Sequence, residues 1–164
     1  MVEIGLREAE DVRAPDAAAR ATGEGCRMDK ALPAVEPRGE LTVRVSAMPA
    51  DTNANGDIFG GWVLSQMDAA GGIASAEYAK GRVVTIAIDA MTFIRPVKVG
   101  DVLCVYTAID KVGRTSMKVH VEAWARRRLT HHREKVTDAT FTFVAIDETG
   151  RPRPIPAERA QNGI

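Results

Sequence analysis

Asp68 is the residue whose position in this sequence most clearly suggests chemistry. It is the only ionisable side chain between Ile58 and Ala76. A carboxylate in apolar surroundings is costly unless it has a partner, a raised pKa or a function. Two interpretations stay open on this pattern. Asp68 is either a catalytic carboxylate, or a residue that caps a neighbouring loop or lies on an exposed strip of its helix.

Polar turn residues and two glycines precede Asp68. Asn53 lies in a Thr-Asn-Ala-Asn-Gly turn, and Gly60 and Gly61 follow at the predicted start of a helix. N–H groups at a helix N-terminus, with glycine allowing close approach, stabilise negative charge on an oxygen. An oxyanion hole requires such donors. The alternative is ordinary turn chemistry, in which Asn and Gly only shape the chain.

The element that must carry Asp68 is a long helix over residues 60–79. Its apolar residues occupy nearly every face, and a helix that is apolar all round is expected to be buried all round. Gly71 and Gly72 lie in its middle and lower its intrinsic stability. We therefore expect another part of the chain to approach the helix backbone closely at this point.

Strand-like runs surround this helix in the sequence. One precedes it at 40–45, and four follow at 83–93, 102–110, 116–126 and 135–146. Successive strands with short turns favour antiparallel pairing, and an apolar helix must be covered by the resulting sheet. The sequence predicts the α+β class, with one curved antiparallel β-sheet wrapped around one long buried helix.

Length and composition indicate a single domain with tails. The chain has 164 residues, enough for one hydrophobic core. Residues 1–39 lack an apolar period and are interpreted as a disordered N-terminal tail, with Met28 as an alternative start. The domain is predicted over 40–156, and 157–164 is a second tail.

Charge and cysteine content exclude several functional classes. Acidic and basic residues balance at 22 each, so no overall positive field favours nucleic acid or an anionic membrane. No apolar run is long enough to span a bilayer. Cys26 and Cys104 are the only cysteines, which suits a reducing cytoplasm, and no Cys/His cluster predicts a metal site.

A block of the sequence resembles a known enzyme family. Residues 51–62, DTNANGDIFGGW, followed by SQMD at 65–68, are similar to the signature of the YciA-type acyl-CoA thioester hydrolases. Further matches are GRVVT at 81–85, MTFIRP at 91–96, VGDV at 99–102, VGRTS at 112–116, VTDA at 136–139 and FTFVA at 141–145.

This resemblance implies a hotdog fold and the hydrolysis of acyl-CoA to a free acid and CoA. Asp68 matches the catalytic carboxylate, and Asn53 matches the Asn that orients the carbonyl or the water. Gly60 or Gly61 would supply the oxyanion N–H. Asp68 can act as a general base on water or as a nucleophile through a mixed anhydride, and the sequence does not choose between them.

The resemblance also implies groups that bind the phosphates of CoA. The candidates are Arg82, Arg114, Ser116 and Lys118. The run Arg126-Arg127-Arg128 is interpreted instead as a solvated basic surface. No cofactor is expected, since CoA is part of the substrate and the product.

Two other functions compete with hydrolysis. A hotdog hydratase or dehydratase generally pairs Asp with His, whereas His120, His131 and His132 lie away from the Asp68 block and are expected at the surface. A non-catalytic module that binds or senses acyl-CoA would lack the carboxylate, and Asp68 is present.

The spacing of Gly61 and Asp68 predicts an oligomer. Seven residues of helix separate them by roughly 10 Å along the axis, but both must reach one carbonyl group. We expect the helix N-terminus of one chain to face Asp68 of a second chain across a two-fold axis. The resemblance implies further assembly, as a trimer of dimers.

Overall fold

The structure is a computed structural model that describes residues 36–130 and 132–156. Five strands form one antiparallel sheet in the order β1-β3-β4-β5-β2, and one long helix packs on it. The elements, in chain order, are β1 (Glu40–Ser46), a short 3-10 helix (Pro49–Asp51), α1 (Gly60–Ala79), β2 (Val83–Ile88), β3 (Val102–Val112), β4 (Ser116–Arg126) and β5 (Arg133–Ala145). The α+β prediction is confirmed.

The inner face of the sheet carries the core. Successive side chains of a strand point to opposite faces of the sheet. In β4 every second side chain faces inward and is fully buried. This set is Met117, Val119, Val121, Ala123 and Ala125. Helix α1 contacts all five strands on this side.

The close approach expected in the middle of the helix occurs at Gly71. A Cβ atom built there would lie 2.8 Å from two ring carbons of Phe143 and 3.5 Å from a methyl of Val121. At Gly72 the nearest atom, on Phe143, would be 3.9 Å away. Only Gly71 is therefore required by packing.

The end of α1 is fixed by backbone conformation and one arginine. Lys80 adopts the left-handed conformation with φ 50°. The guanidinium of Arg153 donates a 2.8 Å hydrogen bond to the carbonyl of Ala79. Gly81 follows, and the chain turns directly into β2. The carbonyl of Ala79, which has no partner within the helix because the helix ends there, thus receives a hydrogen bond.

Two sequence predictions about these elements are wrong. The helix is not buried on all sides, because Ser65, Ala69, Ile73 and Glu77 form a stripe that is exposed in the single chain. The strand predicted over 83–93 ends at Ile88. Beyond it the chain lies beside β5 as a loop, with the N–H of Ile94 donating to the carbonyl of Val136.

The predicted division into tails and domain stays largely a prediction, since residues 1–35 and 157–164 lie outside the described residues. Within the predicted N-terminal tail, residues 36–39 are described and contact the sheet. The Arg38 N–H donates to Glu122 at 3.2 Å, and Arg38 also pairs with Asp110. This end of the predicted tail is therefore attached to the domain.

Candidate active site

Asp68 lies half-buried on α1, on the side of the helix that meets the edge strand β2. The hydroxyl of Thr85 donates to its Oδ1 at 2.6 Å. This bond supplies the partner that a carboxylate in an apolar helix needs. It also fixes the orientation of the carboxylate, because Thr85 is held in the sheet where β2 pairs with Phe143 of β5.

Sequence reasoning missed the hydrogen bond between Thr85 and Asp68. Thr85 lies in one of the matched blocks, GRVVT at 81–85, but nothing local in the sequence links it to Asp68. The signal that could have found it is strand alternation. Val83 packs against the core, so residue 85 faces the helix as well.

The N-terminus of α1 has the open donors that an oxyanion site requires. Phe59 is the N-cap residue and provides no side-chain hydrogen bond to the helix. Within residues 36–130 and 132–156, the N–H groups of Gly60 and Gly61 have no hydrogen-bond acceptor. Such donors, together with the helix dipole, favour negative charge.

Both glycines also serve packing. A Cβ atom on Gly61 would overlap the ring of Phe59, and one on Gly60 would lie 3.3 Å from the ring of Phe93. A side chain at either position would therefore press on an aromatic ring, independently of any role of the N–H groups.

Asn53 shapes the loop before the helix. Its side-chain oxygen accepts from the N–H of Asn55 at 2.9 Å and of Asp57 at 3.1 Å, and its own N–H donates to the carbonyl of Asp57. Its side chain is exposed. The turn interpretation therefore holds for the oxygen, which leaves the amide NH₂ group as the part of Asn53 that can meet a substrate.

The four predicted CoA-binding residues lie near one end of the sheet. Arg82 precedes β2, Arg114 lies in the β3–β4 turn, and Ser116 and Lys118 begin β4. Hydrogen bonds of the carbonyls of Arg82, Arg114 and Thr115 tie these segments to residues 145–155. Arg114 and Lys118 are exposed.

The guanidinium of Arg82 has a structural role in this chain. It donates to the carbonyls of Asp147 at 3.4 Å and Glu148 at 3.2 Å. These bonds brace the loop after β5. Of the predicted set, Arg114 and Lys118 therefore present their charge more freely than Arg82.

Arg127, which the sequence placed on a solvated surface, instead links three segments. Its side chain is 18% exposed and pairs with Asp101 and Glu134, and it also donates to the carbonyl of Pro96. Burial alone would lower the pKa of Arg127, but its hydrogen bonds to Glu134 and Asp101 raise it above the ordinary value. The prediction for this residue is wrong.

His120 is also not a free surface residue. It is half-buried on the outer face of the sheet, with Nε2 3.1 Å from the carboxylate of Glu122. Trp124 and Lys135 donate to the same carboxylate. His132 is exposed as expected, and His131 lies outside the described residues.

Neither metal ligation nor a membrane span is indicated by the described parts of the chain. Among these residues no three His, Cys, Asp or Glu side chains are grouped so that they could hold a metal ion. No helix in the described ranges is long and apolar enough to cross a bilayer.

Comparison with known proteins identifies related enzymes. Residues 55–130 match the family described as the thioesterase superfamily. The acyl-CoA thioester hydrolase YciA of Salmonella typhimurium is 52% identical over 125 residues, which are 74% of this chain and 94% of that protein. YciA of Escherichia coli K12 is 50% identical, with 74% and 95% covered.

Solved structures give the same result. A hexameric broad specificity acyl-coenzyme A thioesterase superposes with a TM-score of 0.73 at 53% identity, covering 77% of this chain and 88% of that one. The hexameric thioesterase of Yersinia pestis gives 0.72 at 52% identity, with 74% and 99% covered. A hexameric thioesterase of Campylobacter jejuni described as a hotdog fold gives 0.69 at 43% identity, with 73% and 92% covered.

Half of the aligned residues are identical over nearly the full length of these proteins. The matched range 55–130 contains the helix with Asp68. This chain belongs to the YciA family of acyl-CoA thioester hydrolases and has their hotdog fold.

Proposed function

We propose that this acyl-CoA thioester hydrolase uses Asp68 as its catalytic carboxylate and the N-terminus of α1 as its oxyanion site. The observation that carries the proposal is the half-buried Asp68 carboxylate, oriented by the 2.6 Å hydrogen bond from Thr85. It is the only ionisable group in the first 17 residues of the helix.

The reaction consumes water and needs no other reactant. A water oxygen attacks the thioester carbonyl, the C–S bond breaks, and the sulfur leaves as the CoA thiol. Asp68 accepts the proton of the attacking water, or attacks the carbonyl itself to give a mixed anhydride that water then hydrolyses. The negative charge that forms on the carbonyl oxygen is stabilised by the N–H groups of Gly60 and Gly61.

Thr85 acts on this reaction through Asp68. Its hydroxyl donates to one carboxylate oxygen and leaves the other oxygen for water or for the acyl carbon. A carboxylate that is held in one rotamer loses less entropy when it reaches the reacting geometry. We assign Thr85 as a positioning residue.

The substrate is recognised at two kinds of surface. Arg114 and Lys118, exposed at the β3–β4 end of the sheet, suit the phosphates of CoA. Asn53 can donate to the thioester through its amide NH₂, since its oxygen is occupied by the turn. The sparse cysteines of the sequence suit a reducing cytoplasm. No cofactor is proposed, since CoA is part of the substrate and of the product.

Two chains are proposed to share each site. Strand β2 is one of the two edge strands of the described sheet, and its Val84, Ile86 and Ile88 are exposed by 40%, 59% and 39%. Ile73 of α1 is 45% exposed. Unpaired strand edges and apolar patches of this kind favour a second copy. Solved structures of related thioesterases are hexameric, which supports a trimer of dimers.

The test of the proposed function is the change Asp68→Asn, assayed with acyl-CoA by thiol release. The change keeps the shape of the side chain but removes its basicity, so turnover should fall by at least ~100-fold. Asp89→Asn is the matched control, because Asp89 is exposed in the loop after β2, and it should be fully active. Normal turnover by a folded Asp68→Asn protein would disprove the assignment. Acyl-CoA binding without turnover by the wild type would favour the non-catalytic alternative.

A further inference from the structure

The two aromatic rings at the start of α1 are exposed in the single chain. Phe59 is 59% exposed and Phe93 is 45% exposed. Large exposed aromatic side chains are unfavourable in water and commonly mark a contact surface. Neither ring has a role in the reaction described above.

Both rings lie directly against the glycines that offer the open N–H groups. A Cβ atom added to Gly60 would lie 3.3 Å from the ring of Phe93. A Cβ atom added to Gly61 would overlap the ring of Phe59. The open N–H donors of Gly60 and Gly61 and the apolar surface of the two rings are therefore adjacent.

The backbone on either side of each ring is fixed. The N–H of Phe59 donates to Asp51, and its carbonyl accepts from Trp62 at 2.9 Å. Around Phe93, the carbonyl of Thr92 accepts from the hydroxyl of Thr137 at 2.9 Å. The N–H of Ile94, the next residue, donates to β5 at 2.8 Å. These bonds fix the backbone that carries the two rings at the helix N-terminus.

We propose that Phe59 and Phe93 determine acyl specificity by contacting the first methylenes of the acyl chain. The inference rests on the proposed function, since it places the thioester carbonyl at the N–H groups of Gly60 and Gly61. Rings beside those donors can reach only the carbons next to the carbonyl. The same contact excludes water and strengthens the hydrogen bonds to the oxyanion.

The experiment measures kcat/KM of Phe59→Ala and Phe93→Ala with acetyl-, butyryl-, octanoyl- and palmitoyl-CoA. We expect the loss to be roughly 15-fold greater for butyryl-CoA than for acetyl-CoA, from two methylenes that lose their contact. Beyond butyryl-CoA the loss should be constant. Phe59→Leu, which keeps an apolar side chain, should recover most of the activity. Leu129→Ala, at a side chain 87% exposed in the β4–β5 hairpin, is the control and should be normal.

Other results would overturn the inference. An equal loss from acetyl- to palmitoyl-CoA would mean that the rings do not contact the acyl chain. A loss that keeps growing with length would place them at the far end of the acyl site. Dissociation of the oligomer, measured by light scattering, would make them interface residues. A wild type inactive on every acyl-CoA would instead refute the proposed function.

Gly61→Ala provides a second test that keeps the N–H donor. The new methyl group would displace the exposed ring of Phe59 without a large effect on folding, so this variant should show the same dependence on acyl length as Phe59→Ala. In a Phe59→Ala background the change at 61 should have little further effect. Additive losses in the double variant would show that Gly61 and the ring act separately.

Discussion

A single hydroxyl orients the carboxylate of Asp68, which we propose to be catalytic. Thr85 donates to Asp68 across 2.6 Å, and a hydrogen bond to a charged group is worth more than one between neutral groups. We expect Thr85→Val to reduce kcat by roughly 10- to 100-fold, which corresponds to losing one charge-assisted bond. Thr85→Ser should keep most of the activity.

The separate effects on kcat, KM and stability distinguish this positioning role from a structural one. Because the hydroxyl of Thr85 acts on the carboxylate and not on substrate binding, Thr85→Val should lower kcat while KM and the melting temperature stay close to those of the wild type. The matched control is Thr42→Val, because Thr42 lies on the opposite edge strand and bonds to Thr107 at a similar 2.6 Å. An unchanged kcat in Thr85→Val would remove Thr85 from the mechanism.

Adjacent glycines of the helix should respond to alanine in opposite directions. At Gly71 the new methyl group would press on the buried ring of Phe143, and overpacking typically costs about 1–3 kcal/mol. At Gly72 there is room, so the higher helix propensity of alanine should stabilise by up to about 1 kcal/mol. Melting temperatures of the two variants test this. A rise for Gly71→Ala would mean that the ring can move.

At the scale of elements, Glu122 connects three parts of the chain. It accepts hydrogen bonds from Trp124 of its own strand, from Lys135 of β5 and from the N–H of Arg38. Burial alone would raise the pKa of Glu122, but these bonds and that of His120 lower it below the ordinary value of 4.5. The charged form is therefore the one that the folded state favours.

This shift predicts how stability depends on pH. A carboxyl group whose folded pKa is depressed stabilises the protein above its unfolded pKa, and this contribution is lost as the pH falls through the folded value. Glu122→Gln should melt at a lower temperature than the wild type at pH 7, and the difference should shrink below about pH 4.5. Glu148→Gln, at an exposed position, should show neither effect. A difference that stays constant with pH would contradict this account.

The elements were predictable where one pattern dominates. The apolar run of α1 has the bounds 60–79 that the sequence indicated, and β4 spans 116–126 as its alternation required. The end of β2 was not, because apolar residues such as Met91 and Phe93 continue a strand-like pattern in a loop. That loop follows β5 through long-range hydrogen bonds, which local propensity does not encode.

The candidate site could be proposed from the sequence only through its motif. Asp68 and the glycines lie in one continuous block and could be found by resemblance. The pairing with Thr85 depends on the position of β2 against the helix, and the hydrogen bonds of Asn53, Arg82 and Arg127 depend on loop geometry. Contacts between segments distant in sequence decide these roles.

At the scale of the whole molecule, a single chain does not bring its proposed oxyanion donor close to its proposed catalytic carboxylate. Gly61 and Asp68 differ by seven positions on one helix, or roughly 10 Å along its axis. The helix stripe of Ser65, Ala69, Ile73 and Glu77 and the apolar residues of β2 are both exposed in the single chain, so both are available to a second copy. A two-fold axis beside β2 would bring the helix N-terminus of one chain towards Asp68 of the other, since an isologous interface exchanges the same surfaces.

Complementation tests this arrangement. Asp68→Asn chains and Gly61→Pro chains should each be inactive as pure proteins, because the first lacks the carboxylate and the second lacks an oxyanion donor. When the two are mixed under conditions of subunit exchange, a mixed dimer holds one site with both changes and one site with neither. At equal amounts, random exchange puts half of the dimers in the mixed form, so roughly a quarter of wild-type activity should return. Exchange demonstrated by mass spectrometry without recovery of activity, or a fully active monomer, would show that each chain completes its own site.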